Sequence, residues 1–209
     1  MISIVAKTKR LVLVNLIDLF DADYPTNYRS WLTDPDVTRY NSHGLFPYTP
    51  EAMRRYVESL KESRDIIVWA VLIKPVLSSN NSEPCPFDEH GRIGAVFGKH
   101  IGNVTLQRIN WIYRSAEMAL VIGEKDHWGA GYATEALTAL YDHGFNRMNL
   151  HRIWSGTAAT NEGMRAVFVK LGMKEEGVFR EAMFLNGYWT DVVEYAVLED
   201  EWRKRNGKG

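Results

Sequence analysis

The chain is poor in several features that mark specialised classes of protein. It contains a single cysteine, Cys85, so no internal disulfide can form and a metal–thiolate cluster is disfavoured. Its formal net charge is -1, which gives no basic excess to attract nucleic acid or an anionic membrane. No stretch approaches the ~20 apolar residues of a membrane-spanning helix, and Lys7, Lys9 and Arg10 interrupt the N-terminal apolar run. We therefore expect a cytoplasmic protein with no signal peptide, no metal ion, and neither nucleic acid nor membrane as a partner.

What the chain does have is the size and composition of a globular domain. Its 209 residues are 45% hydrophobic and 24% charged, which is ordinary for a protein with a buried core. No repeat or interdomain linker is evident, so a single domain is expected over residues 1–209. Within it, the polar segment 75–91, which contains Cys85, is expected to be a long loop, and residues 203–209 a flexible tail.

Hydrophobic periodicity predicts alternating strands and helices. Apolar or β-rich runs predict strands at 10–16, 66–74, 93–97, 101–106, 116–122 and 152–157. Helical spacing and capping residues predict helices at 23–32, 50–60 and 132–146, and a fourth between Asn161 and Gly172. Asn186–Gly187 predicts a type I′ turn that joins strands 178–185 and 188–198 into a hairpin. Residues 34–48 are expected to form a loop. This order of elements indicates a mixed α/β (α+β) fold.

The segment that says most about function is a strand, a short loop and a helix between Val121 and Ala136. Gly129 and Gly131 precede the predicted helix, so bare backbone N–H groups and a helix N-terminus would face an anion such as a pyrophosphate. No Lys-Ser/Thr pair follows the glycines, which excludes a P-loop, and the third glycine of a dinucleotide fingerprint is missing. Spacing alone leaves a plain strand-to-helix turn as an equal alternative.

Short motifs stand in a defined order along most of the chain, from about residue 8 to residue 202. They are Arg10–Leu13, Asp34–Val37, His127–Ala136, Asn161 seven residues before Phe168, Leu171–Met173, Glu176–Gly177 and Arg180–Glu181. This ordered set resembles the GNAT superfamily of acetyl-CoA-dependent N-acetyltransferases, and in particular its RimJ/RimL-like branch. The resemblance implies a mixed sheet of about six or seven strands that splays at the central strand, with about four flanking helices and acetyl-CoA in the gap.

The same resemblance implies a binding site for acetyl-CoA as co-substrate. The backbone N–H groups of Trp128 to Ala133 would cradle the pyrophosphate, and the central strand would pair with the pantetheine arm. Asn161, a good helix N-cap in its own right, would also reach the pantetheine or phosphate region. The implied cofactor residues are Val121, Ile122, His127, Trp128, Gly129, Ala130, Gly131, Tyr132, Ala133 and Asn161. Asp126 stands where the family pattern often has Gln or Arg, which places an acid near the phosphates.

Glu117 is the candidate catalytic residue. A carboxylate inside an apolar strand is costly unless it is paired or useful, and a Glu with a raised pKa could deprotonate an amine, directly or through water. The alternative is a Glu that pairs with Arg114 or points to solvent. Phe168 stands where many family members have a Tyr that protonates the leaving thiolate, so the general acid is not identified by the sequence.

These residues predict transfer of an acetyl group to a primary amine of a small molecule or of a protein N-terminus. Direct attack in a ternary complex is expected, because no nucleophile–base pair is evident. Trp31, Tyr40, Phe46 and Trp111 and the loop 110–114 are candidates for the acceptor side, with a place in the core as the alternative for each aromatic ring. A non-catalytic acyl-CoA-binding sensor is the competing function. A homodimer formed through the aromatic C-terminal hairpin is left open.

Overall fold

The computed structural model describes residues 2–46, 48–74 and 98–207. The strands in these ranges are β1 (Ile4–Lys7), β2 (Leu11–Asn15), β3 (Ile67–Ile73), β4 (His100–Asn110), β5 (Ser115–Ile122), β6 (Arg152–Ala158), β7 (Lys174–Leu185) and β8 (Tyr188–Leu198). The helices are α1 (Leu16–Asp21), α2 (Tyr28–Trp31), α3 (Pro35–Thr38), α4 (Pro50–Leu60), α5 (Tyr132–Asn146), α6 (Glu162–Leu171) and α7 (Glu199–Arg205). Short 3-10 turns lie at His43–Leu45 and Lys125–His127.

The long elements begin and end where their caps and turns predict. Helix α5 spans the predicted residues, and α6 is capped by the Asn161 side chain, which accepts a hydrogen bond from the Met164 N–H at 3.2 Å. Gly172 closes α6 in the left-handed conformation, with φ of 79°. Asn186 and Gly187 both have positive φ, as the predicted type I′ turn between β7 and β8 requires.

The short elements differ from the prediction. The helix expected over residues 23–32 is a single turn, α2, because Pro25 precedes it. A separate helix, α1, begins at the end of β2, where the Asn15 side chain caps it. The segment 34–48, predicted as loop, contains α3 and a 3-10 turn. Residues 203–205, expected in a flexible tail, form the last turn of α7. The predicted strand 93–97, the loop 75–91 and Cys85 lie outside the described residues.

The strands form one sheet in the order β1-β2-β3-β4-β5-β6-β8-β7. Eight strands and seven α-helices in the described ranges exceed the expected six or seven strands and about four helices, because single-turn helices and a four-residue edge strand carry little periodicity. All neighbours pair antiparallel except β5 and β6, which pair in parallel only from Ser115–Arg152 to Glu117–Trp154. Beyond Glu117 the two strands diverge, so the predicted splay at the central strand is confirmed.

Helices pack on both faces of the sheet and bury two apolar clusters. On one face, α5 and α6 contribute Leu140, Tyr141 and Phe168 to a cluster in which these side chains are fully buried. On the other face, α1, α2 and α4 contribute Leu19, Trp31 and Met53, each large side chain worth ~1.5–3 kcal/mol of transfer free energy when buried. No helix in the described residues is long and apolar enough to cross a membrane. The two layers hold the diverging strands apart and leave a cavity between them.

Candidate active site

A cavity of about 1090 Å³ lies where β5 and β6 part. Its walls include all of β5 from Glu117 to Ile122 and the end of β6 from Ser155 to Thr157. The loop that contains Gly129 and Gly131 and residues of α2, α4 and the segment between them complete the lining. A cavity of this size, lined by both backbone groups and polar side chains, has room for a large ligand.

The glycine loop has the backbone form that the sequence predicts for an anion site. Gly129 and Gly131 have φ of 71° and 81°, in the left-handed region that glycine adopts without strain. The backbone N–H groups from Gly129 to Ala133 make no backbone hydrogen bond within the described residues. Gly131 is the N-cap of α5 and has no side chain to satisfy the first turn, so the positive end of a 15-residue helix stays open.

The predicted cradle is shorter than expected at its start. The Trp128 N–H donates to the Lys125 carbonyl at 3.0 Å, and the His127 N–H donates to the Glu124 carbonyl at 3.0 Å, because a 3-10 turn precedes the glycines. The run of free donors therefore begins at Gly129. Trp128 instead uses its indole, whose Nε1 donates to the Ile122 carbonyl at 2.7 Å and occupies the last acceptor of β5.

Arg10 holds the glycine loop in place. Its Nη1 donates to the Ala130 carbonyl at 2.8 Å, its Nε lies 2.6 Å from Glu135 Oε2, and its guanidinium carbon lies 4.2 Å from the centre of the Tyr132 ring. Glu135 also accepts from Thr8 Oγ1 at 2.5 Å and from the Arg10 N–H at 2.8 Å. Burial opposes ionisation of Glu135, but these hydrogen bonds outweigh it and lower the pKa of the carboxyl. The turn between β1 and β2 is thereby fixed to the first turn of α5.

The sequence places Arg10 in a motif near the N-terminus and does not mark it as a site residue. Its arrangement changes the electrostatic expectation at the loop, because a cation does lie beside the glycines even though Asp126 replaces the usual Gln or Arg. Asp126 itself is exposed and is not among the residues that line the cavity. The feature that identifies Arg10 is its pairing with Glu135. Because the two residues are 125 apart in the sequence, local periodicity does not predict that contact.

Glu117 lies on the cavity wall at the point where β5 and β6 part. Its Oε2 accepts from Gln107 Nε2 at 3.1 Å and lies 3.3 Å from Arg108 Nε, and its side chain is 19% exposed. Its Oε1 makes no hydrogen bond to a described residue. The alternative pairing with Arg114 is wrong, because Arg114 Nη2 lies 3.1 Å from Glu199 Oε2 and neither residue lines the cavity. Glu117 is thus a partly paired carboxylate with one oxygen available to a ligand.

Asn161, the N-cap of α6, and Phe168, within α6, both line the cavity. Asn161 uses its Oδ1 for the N-cap and its Nδ2 to donate to Thr157 Oγ1 at 3.0 Å, so its side chain is satisfied within the protein. Phe168 is fully buried, with its ring centre 5.1 Å from that of Tyr195. Phe168 has no proton to donate, and its environment is that of a core side chain.

Only one of the four aromatic residues predicted for the acceptor side lines the cavity, and it is Tyr40. Trp31 is 3% exposed and covers Gly123, where an added Cβ would lie 1.9 Å from the indole, so Trp31 belongs to the core. Phe46 is 71% exposed and is not in the lining.

Trp111 and the loop 110–114 also lie outside the cavity lining. This loop joins β4 to β5 at the end opposite the glycine loop, and the Trp111 indole donates to the Arg64 carbonyl at 2.9 Å. The expectation of an acceptor-side loop there is wrong, because order along the sequence does not reveal which end of a hairpin borders a cavity.

The wall that sequence reasoning missed is made of tyrosines and of one face of β4. Three tyrosines line the cavity: Tyr28, Tyr48 and Tyr56. Burial raises the pKa of Tyr28, and the neighbouring hydroxyls of Tyr56 and Tyr48 raise it further. Asn103, Thr105 and Gln107 form the polar face of β4. The signal for this face was present, since polar and apolar residues alternate from Asn103 to Gln107 with the period of a strand.

Comparison with known proteins places these features in a family. A model of the acetyltransferase (GNAT) domain matches residues 10–174. The uncharacterized N-acetyltransferase YnaD of Bacillus subtilis (strain 168) is 31% identical over 199 residues, which cover 93% of this chain and 97% of that protein. The spermidine N(1)-acetyltransferase of Vibrio cholerae serotype O1 (strain ATCC 39315 / El Tor Inaba N16961) is 34% identical over 106 residues, which cover 51% of this chain and 61% of that protein.

A solved structure extends the likeness to the fold. RimL, a ribosomal L7/L12 alpha-N-protein acetyltransferase in complex with coenzyme A, superposes with a TM-score of 0.72 and 16% sequence identity, over 95% of this chain and 99% of that one. At this identity the likeness concerns the fold alone. In the residues that the structure describes, no group of three or more His, Cys, Asp or Glu side chains could hold a metal ion.

Proposed function

The chain belongs to the GNAT acetyltransferase family, and from that premise we propose that it transfers the acetyl group of acetyl-CoA to a primary amine. The amine belongs to a small molecule or to a protein N-terminus and attacks directly while both substrates are bound. The observation that carries this proposal is the joining, in one cavity, of free loop N–H groups, the open edge of β5 and the Glu117 carboxylate.

The residues present suit acetyl-CoA. The free N–H groups from Gly129 to Ala133 and the open helix end can bind a pyrophosphate, and no Cβ at either glycine stands in the way. Among the described residues, the edge of β5 beyond Glu117 has no strand partner on the β6 side, so it can pair with an amide-bearing chain. When bound, acetyl-CoA supplies an acetyl group activated as a thioester.

Glu117 acts as the general base. An amine is protonated near neutral pH and must lose a proton to become a nucleophile, and Glu117 Oε1 can accept that proton directly or through one water. The backbone of Val121 and Ile122 stabilises the negative charge that develops on the acetyl oxygen. Gln107 and Arg108 keep Oε2 occupied and so direct the other oxygen to the amine.

The leaving group needs no strong acid from the protein. Phe168 cannot donate a proton, but a thiol with a pKa of about 8.5, by analogy with Cys, can depart as the thiolate. The direct test is release of free thiol from acetyl-CoA across a panel of amines, together with calorimetric titration of acetyl-CoA. Binding with amine-dependent thiol release supports the proposal, and a folded protein that binds no acetyl-CoA at millimolar concentration contradicts it.

A second candidate function is an acyl-CoA-binding module without turnover. The buried phenyl ring of Phe168, at the position where the family pattern often has Tyr, is the observation that favours it. The same experiment separates the two functions, because such a module would bind acetyl-CoA and release no thiol with any amine.

A further inference from the structure

The proposed base lies on the face of the sheet that α2 and α4 cover. Gln107 of β4 pairs with Glu117 of β5, and Thr105, two residues before Gln107, pairs with Val68 of β3. Cross-strand partners, and residues two apart on one strand, share a face of the sheet. Val68 belongs to the apolar cluster formed with α1, α2 and α4, so Glu117 faces that layer.

An apolar wall stands beside Glu117 in this layer. We use this name for six side chains of the cavity lining: Tyr28, Leu32, Val37, Met53, Tyr56 and Ile66. Ile67 pairs with Leu106, so Ile66 lies across β4 from Gln107, and Glu117, Gln107 and Ile66 follow one another over three strands. Adjacent strands are about 5 Å apart, so Ile66 lies roughly 10 Å from Glu117. A ligand with its amine at Glu117 therefore lays its body along the apolar wall.

The polar atoms at this wall are uncharged and already have partners. The hydroxyl groups of Tyr28 and Tyr56 share a hydrogen bond, and burial raises the pKa of both. Tyr48, also in the lining, has its hydroxyl 2.6 Å from His43 Nδ1. Burial lowers the pKa of His43 below its usual value, so this ring is neutral at neutral pH. The wall thus offers rings and alkyl groups rather than charges.

The carboxylates of the cavity are compensated or lie elsewhere. Three of them line it: Asp36, Glu117 and Glu162. Asp36 Oδ2 lies 2.9 Å from Lys125 Nζ, and Glu117 Oε2 lies 3.3 Å from Arg108 Nε. Glu162 is in the first turn of α6, a helix that packs on the opposite face of the sheet. Among the described residues, the apolar wall therefore has no carboxylate left for a second ammonium group.

A cation borders the wall instead. Arg39 lines the cavity, and its guanidinium carbon lies 4.8 Å from the centre of the Tyr40 ring. Its Nη2 donates to the Tyr40 hydroxyl at 2.9 Å. The face of Tyr40 is thus already occupied by a cation. A second ammonium group that reached this end of the wall would meet a like charge.

We propose that the acceptor is a monoamine whose carbon chain or aromatic ring lies against the apolar wall, so the cavity selects apolar amines over polyamines. The amino group reaches Glu117, and burial of the apolar body supplies the affinity. A polyamine would have to place a second ammonium group against uncharged side chains or beside Arg39. This inference rests on the proposed acetyl transfer and names the class of acceptor.

The experiment compares acceptors of equal length that differ by one amino group. Butylamine is paired with putrescine and pentylamine with cadaverine, and spermidine represents the longer polyamines. We measure kcat/KM for each acceptor at saturating acetyl-CoA. The wild type should favour each monoamine over its diamine by at least about tenfold. The result is taken as the ratio within a pair, so the fraction of folded enzyme cancels.

Ile66→Ala tests the apolar contact. Loss of its alkyl groups should lower kcat/KM for each monoamine by about threefold to tenfold and leave the diamines within about twofold. Ile112→Ala is the matched control, because Ile112 is exposed and lies outside the cavity lining. It should leave every ratio at the wild-type value.

Tyr56→Glu tests the charge argument in the opposite direction. A carboxylate added to the wall should raise kcat/KM for each diamine, relative to its monoamine, by about tenfold. Tyr113→Glu makes the same change at an exposed tyrosine outside the lining and should leave the ratios unchanged.

A wild type that uses the diamines or spermidine as well as the monoamines, or unchanged ratios in Ile66→Ala, would overturn the inference and leave acetyl transfer intact. A wild type that binds acetyl-CoA but turns over with no amine would instead overturn the proposed function, and the inference with it. The two failures are therefore distinguishable by the same set of measurements.

Discussion

The two sides of the cavity offer different kinds of binding group. On the glycine-loop side the available groups are backbone N–H groups. Contacts of Arg10 and Glu135 fix the loop, and the N–H groups themselves do not depend on the identity of a side chain. On the side of Tyr28 and Tyr56, the lining consists of side chains that come from separate segments of the chain. Backbone recognition tolerates sequence change around two glycines, whereas side-chain recognition changes with every substitution. Substitutions should therefore alter the ligand of the side-chain wall more readily than that of the glycine loop.

The largest effect is expected where the two sides meet, at Glu117. Glu117→Gln keeps the size and the hydrogen bond from Gln107 but removes the proposed base, so kcat should fall by about 10²- to 10⁴-fold. Affinity for acetyl-CoA, measured by titration calorimetry, should stay within about twofold. Glu199→Gln, which alters a carboxylate paired with Arg114 outside the cavity, is the control and should keep near wild-type turnover. An unchanged kcat in Glu117→Gln would remove Glu117 from the mechanism.

The next effect tests the backbone side alone. Gly129→Ala adds a Cβ that meets nothing within 4 Å, but the positive φ strains it. In the proposed complex the methyl group would stand where the phosphates approach. The Kd for acetyl-CoA should rise roughly tenfold, with a stability loss of ~1 kcal/mol. Gly187→Ala has a similar φ and open surroundings in the β7–β8 turn, so it should lose the same stability without a change in Kd. Equal Kd values for the two variants would contradict a phosphate cradle at this loop.

A smaller effect is expected from the support behind the loop. Arg10→Ala should raise the Kd for acetyl-CoA about threefold, since a partly exposed ion pair is worth ~1 kcal/mol or less. Its stability deficit should depend on pH. Because folding lowers the pKa of Glu135 below the usual 4.5, the stabilisation is present above that value and is lost as pH falls through the folded-state pKa. Melting curves of both proteins from neutral pH to below pH 4.5 should therefore converge, and a constant difference would argue against the role of Glu135.

The smallest effect is expected at the β4–β5 turn. Trp111→Ala should change kcat/KM for any amine by less than about twofold, because the indole contacts Arg64 and not the cavity. Tyr56→Phe, in the cavity wall, is the matched aromatic comparison and should alter KM for the acceptor more than Trp111→Ala does. A larger change in KM for Trp111→Ala than for Tyr56→Phe would instead indicate that the turn 110–114 contributes to acceptor binding.

What the sequence could predict follows from the same contrast. Helix α5, the αL glycines and the hairpin turn at Asn186 depend on local chemistry, so capping residues and glycine spacing reveal them. The contact of Arg10 with Glu135 and the burial of Trp31 against Gly123 depend on segments far apart in the chain. Aromatic residues such as Phe46 and Trp111 have no local property that separates core, cavity and surface. The glycine-loop side of the cavity was therefore largely predictable, and the opposite wall was not.

The parting of β5 and β6 also bears on how the protein unfolds. Only three register pairs, from Ser115 to Glu117, join β5 to β6. By contrast, β5 pairs with β4, and β6 pairs with β8, over most of their lengths. The amide hydrogens of β5 beyond Glu117 on the open edge should exchange with solvent sooner than those that face β4. A ligand lying along that edge would slow this exchange and link the two halves of the sheet. Binding would then raise the cooperativity of unfolding as well as the melting temperature.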